Sequence, residues 1–281
     1  MSESDEDYPS DTGDDRFSET ATLVEDARSS FGSSDTPAVT EFKMDLLRLA
    51  ALTGRGQLAT PGEKGRIEDI IYELEQRKPI TDTATSSRME GRWALVYASE
   101  DVTRSSPFFW AFRKATEGIS DPRASQRGGI AASVFAITDT LPGKGVGEAV
   151  QTITPTQIRS EVEIFAGVSE YTARTQDGPP KFPSFRSVMT TTSEITGANG
   201  METVLAVTKT QVRKSALGRL LKPLFNLDDV EFRTERLLSP LKQGATEVIM
   251  TTTYLDPLLR VSRNEQGQVF VFVRADDGQL T

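Results

Sequence analysis

Apolar residues recur along this chain with two periods, and the change from one to the other divides it. Near the N-terminus Phe42, Leu46, Leu49 and Ala50 fall at helical spacing. Ile67, Ile70, Ile71 and Leu74 repeat it at i, i+3, i+4 and i+7. Thr60-Pro61-Gly62-Glu63, ahead of the second stripe, reads as a capping box with proline in the first turn, and that helix stops before Pro79. The spacing therefore predicts a helical hairpin turning across Thr53-Gly54-Arg55-Gly56, with both stripes packed on a core. After Gly91 the period becomes two. Stretches rich in Val, Ile, Thr and Phe predict strands over 92–99, 129–138, 146–154, 157–166, 169–175, 185–196, 202–213, 229–238, 245–254, 258–263 and 268–275. Turn residues separate them at Pro142-Gly143, Asp177-Gly178-Pro179-Pro180, Gly197-Ala198-Asn199-Gly200 and Asn264-Glu265-Gln266-Gly267.

No internal repeat and no second linker interrupts this series, so it predicts one mainly β unit with helices added in front. Met89-Glu90-Gly91-Arg92-Trp93-Ala94-Leu95-Val96-Tyr97 reads as the opening strand of a closed antiparallel barrel. Residues 252–263 and 269–274 read as its closing hairpin. A barrel of about eight strands holds its own side chains or one small apolar ligand. If the last strand runs antiparallel beside the first, Arg274 falls next to Trp93, where a guanidinium stacked on the indole gains about 0.5–2 kcal/mol. An ordinary core Trp beside a surface Arg is the other reading.

Composition changes the picture at the N-terminus. The hydrophobic fraction is 37%, and residues 1–38 hold eleven acidic side chains against Arg16 and Arg28, which accounts for the whole net charge of −9. Such a stretch, rich also in Ser, Thr and Gly, buries too little apolar surface to offset its ordering entropy. It is expected to be a disordered acidic tail, with folding from Val39. The remainder is neutral, which argues against nucleic acid as a partner. Zero Cys removes disulfides, thiolate nucleophiles and cysteine metal sites, and zero His removes the commonest general base and most zinc sites. No run of 18 apolar residues is present. The acidic start resembles neither a secretory signal nor a transit peptide, so an organelle-targeting segment is expected to be absent or already removed.

Two stretches are candidates for gating a cavity or meeting a membrane. Phe108, Phe109, Trp110 and Phe112, followed by Arg113 and Lys114, stand where a loop would cover the mouth of a barrel. They would line a portal or insert at a lipid interface, or a short helix would bury them as core. Arg213, Lys214, Leu217, Arg219, Leu220, Leu221 and Lys222 form a short basic amphipathic segment. Contact with anionic lipid would gain about 1 kcal/mol per cation near the surface, against docking on the core with a solvated face. Carboxylates such as Glu161, Glu163 and Asp256 lie on or near strands without visible pairing, and Asp256 before Pro257 reads locally as a turn residue. Gly143-Lys144-Gly145-Val146-Gly147 lacks the spacing of a phosphate-binding loop. No enzyme activity, cofactor or metal is expected.

Read together, several segments carry a family likeness. They are Leu46-Leu47-Arg48-Leu49-Ala50, Thr53-Gly54-Arg55-Gly56, Ala59-Thr60-Pro61, Arg66 through Glu75, Gly91-Arg92-Trp93-x-Leu95-Val96-Tyr97-x-Ser99, Thr253-Tyr254-Leu255-Asp256-x-x-Leu259-Arg260-Val261-Ser262-Arg263, and Gly267-x-Val269-Phe270-Val271. In this order and spacing the chain resembles the plastid lipid-associated proteins, or plastid fibrillins, over about 42–274, most strongly at the two ends. Gly91-x-Trp93 resembles the first-strand motif of lipocalin-like barrels, in which the indole plugs the closed end. The resemblance implies a lipocalin-like barrel over 90–275, behind a hairpin over 39–80, at plastoglobules or thylakoids. It implies apolar metabolites such as isoprenoid quinones, carotenoids or fatty acids as cargo. It marks Gly91, Trp93, Arg260, Arg263 and Arg274 as closure residues and keeps a ligand role open for Tyr254 and Asp256. Expected partners are an apolar small molecule or lipid, a peripheral membrane or lipid-droplet surface, and a protein partner should the barrel be a filled scaffold docking on a thylakoid complex or lipid-synthesis enzyme.

Overall fold

The computed structural model describes residues 35–117, 145–166, 185–213 and 230–275. The acidic segment 1–34, the predicted strands 129–138 and 169–175, and Lys214 through Lys222 of the basic segment lie outside those residues.

The two predicted stripes form α1 (Pro37–Leu52) and α2 (Pro61–Gln76). Thr36 caps α1 through a hydrogen bond from the Val39 amide, and Thr60 and Glu63 exchange the two hydrogen bonds of a capping box at α2. Between them Gly54, Arg55 and Gly56 all take positive φ. At Gly56 a side chain is excluded for a second reason: a Cβ would stand 2.5 Å from the Tyr97 ring and 2.7 Å from the Ala98 carbonyl oxygen. The turn therefore lies flat on the wall of the sheet, where the Arg55 carbonyl accepts the Ala98 amide and its guanidinium donates to the Gly147 carbonyl.

The strands are β1 (Gly91–Ala98), β2 (Gly145–Ile153), β3 (Gln157–Ala166), β4 (Phe185–Asn199), β5 (Glu202–Arg213), β6 (Val230–Arg233), β7 (Glu247–Leu255), β8 (Leu259–Asn264) and β9 (Val269–Arg274). They pair antiparallel in the order β4-β3-β2-β1-β9-β8-β7-β5, and β5 returns to pair with β4, so eight strands close a ring. First and last strands meet in the register Trp93↔Arg274 and Leu95↔Phe272. β5 serves two neighbours on one edge: Glu202–Ala206 pair with β7 and Lys209–Val212 with β6. Register shifts in β1, β2, β4, β5 and β7 supply the local bends that closure demands.

Two boundaries differ from the sequence pattern. The stretch 229–238 is strand only to Arg233, after which Thr234–Leu238 forms α4. Thr234 is buried with its hydroxyl against that of Thr210, and Leu238 is buried while Leu237 is exposed, a helical rather than alternating pattern set by the inner end of β5. β4 runs through Gly197-Ala198-Asn199, and the turn falls at Gly200 and Met201.

Both faces of the closing strands are buried, in two separate clusters. The inner cluster includes Trp93, Leu95, Ile153, Ile158, Leu205, Val248, Met250, Phe270 and Phe272. The outer cluster joins Tyr97, Tyr254, Leu259, Val261, Val269 and Val271 to Leu46, Ala50, Ile67, Ile71 and Leu74 of the helical hairpin. A third longer helix, α3 (Pro107–Thr116), lies across one end of the ring, with Trp110 and Ala111 in the inner cluster.

Candidate functional site

The end of the ring away from α3 is closed by Trp93. Its indole N–H donates to the Met89 carbonyl at 2.8 Å, and the side chain is fully buried. The Arg274 guanidinium lies 4.2 Å above the ring. Its donors are taken up by the carbonyls of Pro257, Glu90 and Arg88, which staples the last strand to the segment entering the first. Gly91 makes room for this: its φ is +116°, and a Cβ there would stand 2.6 Å from Arg274 Nη1.

A second guanidinium, Arg260, lies on the inner side of the same indole, 5.3 Å from it and 4.1 Å from the Phe272 ring. It is 0% exposed. Its Nη2 donates to Gln151 Oε1 across the barrel, whereas Nε and Nη1 have no partner among the described residues. Burial first, and then the neighbouring Arg274 charge, push its pKa down to about 9, so it remains cationic at neutral pH. Among the described residues no carboxylate forms an ion pair with it.

Further polar atoms line the same interior without partners among the described residues: Ser160 Oγ, Ser193 Oγ and Thr203 Oγ1. The register relates them. Ser160 stands opposite Gln151, and Ser193 stands opposite Ile158. A pocket of about 190 Å³ opens at this end, between residues 84–90 and the β2–β3 turn; Met89, Ile153, Ile158 and Ile195 supply its apolar wall and Thr203 a hydroxyl. Apolar surface at the opening thus gives way to unpaired donors one residue pair deeper.

The other candidates fall elsewhere. Tyr254 and Asp256 lie outside the ring, under the helical hairpin. Asp256 accepts from the Tyr254 hydroxyl and from the Leu258 and Leu259 amides, all at 2.7 Å, and pairs with Lys43 of α1 at 2.5 Å. Its oxygens are committed to a turn and a helix anchor. Arg263 reaches outward to Glu75 of α2. Trp110 packs 5.4 Å from Phe270 and donates to the Arg104 carbonyl, while Phe108, Phe109 and Phe112 are half-buried at the α3 end. The portal candidates and the Arg260 site are therefore at opposite ends. Arg213 is exposed at the end of β5.

Gln151, Ser160, Ser193 and Thr203 escaped the sequence reading, although a signal existed. Ser160 shares its alternation phase with Ile158 and Val162, and Thr203 with Leu205 and Val207, so each is a polar residue in an apolar phase. Among the described residues no group of three Asp or Glu stands close enough to hold a metal ion.

The family model PAP_fibrillin matches residues 40–273, a span that includes every element from α1 to β9 except the ends. No curated protein and no solved structure matches the chain.

Proposed function

The chain belongs to the PAP_fibrillin family, which is lipid-associated and plastid-associated, and from this premise we propose that its barrel binds and carries one lipid-like molecule without catalysis. One observation supports this above the others. The pocket at the Trp93 end joins an apolar lining of Met89, Ile153, Ile158 and Ile195 to an interior wall that carries unsatisfied polar atoms. A barrel filled wholly by its own side chains leaves few such atoms, because each costs free energy when dry. An amphiphile with its chain in the pocket meets both requirements. Among the described residues the site offers neither the paired carboxylates nor the nucleophile–base contact that chemistry would require. Within this proposal the protein works at thylakoid or plastoglobule surfaces, where such cargo dissolves.

Native mass spectrometry, or organic extraction of protein purified from its own cells, tests it. One equivalent of an isoprenoid or acyl lipid is the expected recovery. Empty protein from repeated preparations, with no partitioning onto liposomes, would leave instead a scaffold that docks on another protein.

A further inference from the structure

We propose that the barrel's cargo carries a single anionic head group of the carboxylate type, and that Arg260 is its counter-ion. The inference rests on the barrel being a lipid site, and it specifies the chemistry of the occupant.

A guanidinium presents five N–H donors, and among the described residues nothing accepts from those on Nε and Nη1 although the side chain is wholly buried. The aromatic rings of Phe272 and Trp93 satisfy its faces, not its edge. A buried cation without a counter-charge is strongly unfavourable, and Gln151 brings only a neutral acceptor. A carboxylate answers both needs, since its two oxygens match the guanidinium fork with parallel hydrogen bonds.

The count of charges limits the head group. Arg274, the other cation beside Trp93, already donates to three carbonyls. One cation is thus open, which suits a monoanion and disfavours a diphosphate. Position points the same way. Ser160 faces Gln151, Arg260's partner, while Thr203 lines the apolar pocket, so hydroxyls without partners stand along the path from the opening to the guanidinium. A head group at Arg260 with its chain directed to the pocket would engage them.

The test compares oleic acid, methyl oleate and acetate on the full chain and on Arg260→Met. Expected on the native protein is an acid bound about tenfold or more tighter than its ester, with acetate unable to displace it. In Arg260→Met the acid should fall to the level of the ester, whose affinity is unchanged. Equal binding of acid and ester by the native protein would overturn the head-group assignment and leave the carrier reading standing. Binding of neither would also overturn the head-group assignment, leaving the carrier reading to the lipid extraction above, and displacement by acetate would reduce the site to one for simple anions. A readout needing no variant is oleic acid labelled with carbon-13 at its carboxyl. Bound beside Arg260 it should titrate well below the free acid, and an unshifted midpoint would overturn the proposal.

Discussion

The Tyr97 hydroxyl is buried beneath the helical hairpin with no hydrogen-bond partner among the described residues. Burial first, and then the negative charge of Glu68, push its pKa up to about 12. The unfolded chain releases this proton near 10, whereas the folded chain holds it, so stability present below pH 10 is lost as pH rises toward 12. Tyr254 shifts in the same direction, through burial and the adjacent Asp256 carboxylate. Tyr97→Phe should therefore flatten part of the alkaline decline. At pH 7 it should leave stability equal or slightly higher, because it removes an orphaned polar atom rather than a bond. Urea unfolding at pH 7 and at steps from 9 to 12 would check both, and a loss above about 1 kcal/mol at pH 7 would contradict the unpartnered hydroxyl.

At the scale of elements, the hairpin is held to the ring by apolar packing, by the Arg55 and Arg263 contacts and by a buried ionic anchor. Lys43 of α1 pairs with Asp35 and Asp256, and Lys43 and Asp256 are both nearly inaccessible. Removing one partner of such a pair leaves the other charge buried, so Lys43→Met should cost about 3–5 kcal/mol. Hydrogen exchange would locate the loss in α1 and the β7–β8 turn. Protection lost evenly over the whole chain would argue against a local anchor. The helices were legible in the sequence because stripe, capping box and Gly-rich turn are local signals. So was the closing hairpin, where Gly267 takes the positive φ its turn needs. β8 was not. In Leu259-Arg260-Val261-Ser262 alternation separates two faces without saying which one is inside. On a sheet with one wet side Arg260 and Ser262 would point to water. Here the apolar residues point outward because α1 and α2 cover them, and the polar residues are left facing the interior. Parity is sequence information; the identity of the covered side is tertiary.

For the whole molecule, the β1–β9 seam turns a sheet into a container. Pairing of Trp93 with Arg274 and of Leu95 with Phe272 removes both edges that would otherwise be open there. A chain ending at Gln268 lacks β9, exposing the Trp93 edge and the residues that pack on Phe270 and Phe272, among them Leu95 and Trp110. It should lose its cooperative unfolding transition, as followed by circular dichroism and tryptophan fluorescence. Retention of a native-like transition would mean that the ring is not the cooperative unit. The seam also has a temporal consequence. On the ribosome the strand carrying Trp93 emerges long before its partner, and the two can join only once β9 has been made. Until then the nascent polypeptide carries an unpaired, apolar rim, which makes the last strand the one that ends its exposure.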